Sequence, residues 1–135
     1  MRLRFVFLFA VLAVTSCHRP ADYAVVGSAE VPSVHGDVEI EKIDKGQLLV
    51  TVELDQLPAP SQIEAGLTDY VLWFVVVGED PQRQTALEYD AEGRVGRASV
   101  PTSLREFEMR ITAESTPTPD TPSYLLVASQ QIREN

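Results

Sequence analysis

The chain has one cysteine and two histidines in 135 residues. A single cysteine closes no disulfide within the chain and rules out the cysteine-built zinc sites. A histidine-type zinc site needs more imidazoles than His18 and His35 supply, or a carboxylate cluster beside them. A Ser-His-Asp set would have to use His35, and no serine sits in a Gly-x-Ser-x-Gly elbow. None of the seven glycines builds a phosphate-cradling loop. Helical periodicity is almost absent. The longest apolar run, Phe5 to Val14, has ten residues, and a membrane-crossing helix needs roughly 20.

What is present begins at the N-terminus. Met1-Arg2-Leu3-Arg4 is a cationic start, the ten apolar residues follow, and then comes Val14-Thr15-Ser16-Cys17. His18, Arg19 and Pro20 stop the apolar run abruptly. The arrangement resembles a bacterial lipoprotein signal peptide: an aliphatic residue, two small residues, then cysteine. The resemblance implies cleavage before Cys17 and a diacylglycerol in thioether linkage on its thiol. A third acyl chain, such as palmitate, usually joins the freed amine. One acyl chain holds a protein only marginally, at about 0.8 kcal/mol per buried methylene, whereas two or three make the anchor effectively permanent. His18 follows the cysteine where an aspartate would signal retention in the inner membrane. In a Gram-negative cell the resemblance therefore directs the protein to the outer membrane, on its periplasmic or surface side.

Cleavage there removes 16 residues and leaves 119, enough for one domain with a real core. All 20 acidic residues but only nine of the 11 basic ones follow the cleavage point, a balance of −11. A domain this acidic repels nucleic acid and anionic lipid head groups, which argues against both as direct partners. The charge is spread without long blocks, as on a solvated surface. The expected organisation is a signal peptide over 1–16, a lipidated tether over 17–23 and a folded domain over 24–135.

Strand signals fill that domain. Val25 to Val31 is a first candidate, weakened by Gly27. Val38 to Glu41 and Gln47 to Asp55 alternate strictly around the turn Asp44-Lys45-Gly46, which makes a hairpin. Leu57 to Gly66 carries Pro58 and Pro60 and reads as a loop between two sheets, with one helical turn near Ser61 to Glu64. Tyr70 to Val77 is apolar on both faces and is expected to be the central strand, with Trp73 in the core. Thr85 to Tyr89 and Arg94 to Val100 flank the turn Asp90-Ala91-Glu92-Gly93. Phe107, Met109 and Ile111 alternate with polar residues. Thr116 to Pro122 holds three prolines and must be an extended loop, and Tyr124 to Ile132 is a last strand. Seven to eight strands at regular spacing predict an all-β antiparallel sandwich of immunoglobulin-like size.

Three carboxylate pairs lie two residues apart: Glu39 with Glu41, Glu53 with Asp55, and Glu106 with Glu108. Glycosidases use two carboxylates, so a small envelope glycan hydrolase is one alternative. Period-two spacing puts each pair on the polar face of a strand, which is ordinary sandwich surface. Asp90 to Gly93 resembles a fragment of a calcium loop, and Glu79-Asp80 ends the central strand. A calcium-stabilised adhesion module is the second alternative, although the full EF-hand spacing is not met. No catalytic, cofactor or metal residue stands out, and Cys17 is the one site the sequence assigns.

From Tyr70 to Ile132 the chain is similar to the extracytoplasmic C-terminal domain of anti-sigma-K factors. The shared features are Tyr70-Val71-Leu72-Trp73, the turn Asp90 to Gly93, Ile111-Thr112-Ala113-Glu114, the proline-rich loop Pro117 to Pro122 and the final apolar strand. These features are structural and cover about half the chain. The family's sigma-binding part and membrane helix have no counterpart in these residues, so anti-sigma activity does not carry over. The resemblance implies a β-sandwich displayed outside the cytoplasmic membrane for contact or sensing. The function expected is therefore a lipid-anchored, non-catalytic binding, sensing or structural module. Its partners are the membrane through Cys17 and an envelope protein.

Overall fold

The computed structural model describes residues 21–135. Cys17, His18 and the signal segment 1–16 lie outside the described residues. Nine strands follow in order: β1 (Ala21–Val26), β2 (His35–Lys42), β3 (Leu48–Asp55), β4 (Asp69–Val75), β5 (Gln82–Ala86), β6 (Glu88–Asp90), β7 (Val95–Thr102), β8 (Glu106–Glu114) and β9 (Leu126–Arg133). They form two antiparallel sheets, ordered β1-β2-β3-β7-β6 and β5-β4-β8-β9. The all-β sandwich expected from the alternation is the fold observed.

The β2–β3 hairpin is the clearest match. Val38↔Val52 and Ile40↔Val50 pair in register, and all four side chains are buried. Lys45 and Gly46 both take positive φ, 60° and 72°, which lets the chain reverse within the short turn. The core between the sheets joins these residues to Leu72, Phe74, Phe107, Met109 and Ile132. The Phe74 and Phe107 rings stack at a tilt with centroids 4.4 Å apart. Burying a side chain of this size contributes about 1.5–3 kcal/mol, so the sandwich needs no covalent staple.

The strand count differs from expectation for a definite reason. Thr85 to Tyr89 is two strands, not one. At Leu87 the chain leaves the four-stranded sheet for the five-stranded one. The Leu87 side chain is buried, and its N–H donates to the Tyr70 carbonyl at 2.8 Å. The first strand also sits earlier than Val25 to Val31. It starts at Ala21, so Ala21, Asp22 and Tyr23 belong to the sandwich and not to a tether. Beyond Val26 the chain makes one bridge, Gly27↔Ala128, to β9. A Cβ at Gly27 would stand 2.1 Å from the Val31 carbonyl oxygen, so the tight turn there requires glycine. The central strand ends at Val75 rather than Val77. Gly78 takes φ +81°, the Glu79 N–H donates to the Val76 carbonyl, and Val77 is left 93% exposed at the turn.

Antiparallel register gives the sandwich two distinct ends. The near end, where β1 begins, carries the β2–β3, β4–β5 and β7–β8 turns and the end of β9. The far end carries the loops after β1, β3, β6 and β8. The helical turn α1 (Pro60–Ile63) lies within the β3–β4 loop, as expected. The β1–β9 flank is closed by the Gly27↔Ala128 bridge and by the Tyr23 hydroxyl, which donates at 2.9 Å to the Arg133 carbonyl or the Glu134 carboxylate.

Candidate functional site

The outer face of the five-stranded sheet is acidic because β2 and β3 alternate. Val38 and Ile40 point in, so Asp37, Glu39 and Glu41 point out. The same logic turns Glu53 and Asp55 outward from β3. Register then sets Asp22 opposite Glu39, and Asp37 opposite Glu53. Like charges in directly opposed positions destabilise a sheet slightly. Arg97 relieves one row, with Nη1 3.7 Å from Glu53 and Glu88 on its other flank. Both partners of that ion pair are well exposed, so it contributes little.

The carboxylate pairs therefore lie along open strand faces. Glu106 and Glu108 do the same on β8, where Arg133 and Arg110 pair with them at 3.2 and 3.0 Å. None of these pairs lines either of the two clefts on the β5–β6–β7 flank. His35 stands exposed at the start of β2, its Nδ1 3.3 Å from the Ser33 carbonyl. Asp90 serves its own turn, its Oδ1 accepting the Glu92 N–H at 3.0 Å. Glu79 and Asp80 sit at the near end while the Asp90 turn is at the far end, so the calcium candidates are not brought together. Among the described residues, no three His, Cys, Asp or Glu side chains group as a metal site.

Two clefts open on the β5–β6–β7 flank, where the short β6 leaves most of the β7 edge uncovered. One of about 250 Å³ is lined by Thr85, Ala86, Glu88, Arg97, Ala98 and Ser99. The other, of about 380 Å³, lies against Tyr89, Asp90 and Val95, with Glu88 and Arg97 shared. Ligand sites are usually enclosed and mostly apolar. These clefts are open and carry one cation between carboxylates, a setting for a polar surface contact.

The most elaborate polar construction is on the outer face of the four-stranded sheet. Trp73 is fully buried, yet it points away from the inter-sheet core. Its indole N–H donates at 2.8 Å to the Thr112 hydroxyl, and that hydroxyl donates at 2.6 Å to Glu114. The Ser123 N–H donates to the same Glu114 oxygen at 2.8 Å, and the Ser123 hydroxyl donates to the Ala113 carbonyl. The proline-rich loop is thereby fastened over this face, and Arg83 of β5 also reaches the Pro119 carbonyl. Trp73 is buried as expected, but under a loop and not between the sheets. The role of Glu114 escapes sequence reading. Its one sequence signal is an apolar run on both faces of β4, which demands a cover on each side.

No family model, curated protein or solved structure matches this chain.

Proposed function

We propose that the chain is a lipid-anchored lipoprotein of the cell envelope whose β-sandwich binds, senses or supports without catalysis. The observation that carries this reading is Val14-Thr15-Ser16-Cys17 behind a basic start and ten apolar residues. Two structural facts support it. The first described strand begins at Ala21, four residues past Cys17 in the sequence. The carboxylate pairs spread over open sheet faces in place of flanking a substrate groove. In a cell with two membranes, His18 favours the outer one as the destination, and the partner is another envelope component rather than nucleic acid.

Growth with labelled palmitate tests the anchor. The wild type should take up label and float with membranes. Cys17→Ala should do neither, and label persisting in that variant would sink the reading.

A further inference from the structure

We infer that the near end of the sandwich lies against the bilayer, with Val77 at its contact surface, and that the far-end loops face outward. This rests on the lipid at Cys17. The sandwich begins at Ala21, four residues after the anchored cysteine. Four residues span at most about 14 Å however they are arranged. The β2 strand, with eight residues, is about 26 Å long at roughly 3.3 Å per residue. The tether is thus shorter than the domain it holds, and the end it enters cannot leave the head-group region.

The chemistry of that end fits such a contact. Val77 is 93% exposed at the apex of the β4–β5 turn, and Ile43 is partly exposed beside the β2–β3 turn. The chain's two lysines, Lys42 and Lys45, stand on that same turn. Neither joins an ion pair among the described residues. Lysines can bury their stems in the interface while the ammonium stays in water. Arg105 braces the turn through the Gly46 carbonyl. Asp44, Glu79 and Asp80 share this end, so the contact does not depend on anionic lipid; the tether supplies the proximity and the apolar tips supply the fit. Lying on its side is disfavoured on the five-stranded face, where Asp22, Asp37, Glu39 and Glu53 would have to shed water.

The test uses the lipidated full chain in phosphatidylcholine vesicles doped with spin-labelled phosphatidylcholine. The Cys17 sulfur is held as a thioether, so an introduced cysteine is the one reactive thiol. Val77→Cys, Thr118→Cys at the far end and Ser129→Cys at mid-strand on the four-stranded face each receive a nitrobenzoxadiazole probe. The probe at 77 should be quenched severalfold more than those at 118 and 129. Equal quenching at all three, or strongest quenching at 118 or 129, overturns the orientation while vesicle flotation shows the anchor intact. Failure of all three proteins to float overturns the anchor itself, and the orientation with it.

Discussion

Glu114 shows how much one residue's surroundings decide. It sits on the polar face of β8 by alternation, yet it is buried because the loop after β8 folds back over it. Thr112 is the hinge of the arrangement, since its hydroxyl accepts from Trp73 and donates to Glu114. Thr112→Val keeps the shape and leaves both partners short of a bond. It should lower unfolding free energy by about 1–3 kcal/mol, read from urea denaturation with the Trp73 fluorescence as reporter. Gly36 is a second sharp case. A Cβ there would stand 1.9 Å from the backbone oxygen of Glu53 on the neighbouring strand. Backbone cannot move aside as a side chain can, so Gly36→Ala should cost about 3 kcal/mol or more, measured the same way. At Glu39 the sign reverses. It faces Asp22 across the β1–β2 ladder, and Glu39→Gln should stabilise by about 0.2–1 kcal/mol.

At the level of elements, the β3–β4 crossover is pinned by two tyrosines. The Tyr70 hydroxyl donates to the Pro58 carbonyl and the Tyr89 hydroxyl to the Leu57 carbonyl at 2.7 Å. Their rings meet edge to face with centroids 5.7 Å apart. Burial raises the Tyr70 hydroxyl above the ordinary tyrosine range, and the neighbouring Tyr89 adds to the rise. The stability this contributes is fully present below the unfolded tyrosine pKa of about 10 and drains away as pH climbs past it. Thermal melts across that window should show the wild type losing stability with rising pH, and Tyr70→Phe losing it less steeply. A parallel loss in both proteins would place the alkaline sensitivity elsewhere.

The elements also show what a sequence can reveal. Strict alternation exposed β2, β3 and the first half of β8, because there one face lies in the core and the other meets water. The break between β5 and β6 was hidden. Leu87 is apolar and fits a continuous strand, and only the change of partner from β4 at Ala86 to β7 at Glu88 marks the crossing. The start of β1 was hidden because Ala21-Asp22-Tyr23 is too short an alternation to read beside Pro20; pairing with β2 makes it a strand. Trp73 reads as buried from β4 alone, but which layer covers it depends on a loop more than 40 residues away. The clefts beside Arg97 follow from the shortness of β6, a property of pairing that composition does not carry.

For the whole molecule, charge is the dominant surface property. The 20 carboxylates outnumber the cations about two to one, and many of them line one sheet face in opposed rows. Self-repulsion of this kind weakens the compact state and is relieved by salt. Raising salt from about 0.01 M to 0.15 M shortens the screening length from about 30 Å to about 8 Å. The melting temperature should therefore rise over that interval, and the rise should shrink when Glu39 and Glu53 are both replaced by glutamine. An unchanged salt response in that double variant would show that the repulsion lies on other faces.

The stapled flank of β1 has a mechanical side. A load applied between the start of β1 at Ala21 and the far end travels along the strand axis. Six residue pairs join β1 to β2, and the Tyr23 hydroxyl and the Gly27↔Ala128 bridge hold its other flank against β9. Pulled lengthwise, these bonds are strained together in shear, whereas a sideways pull would open them one after another. The domain is thus built to resist tension applied along β1 from its first residue.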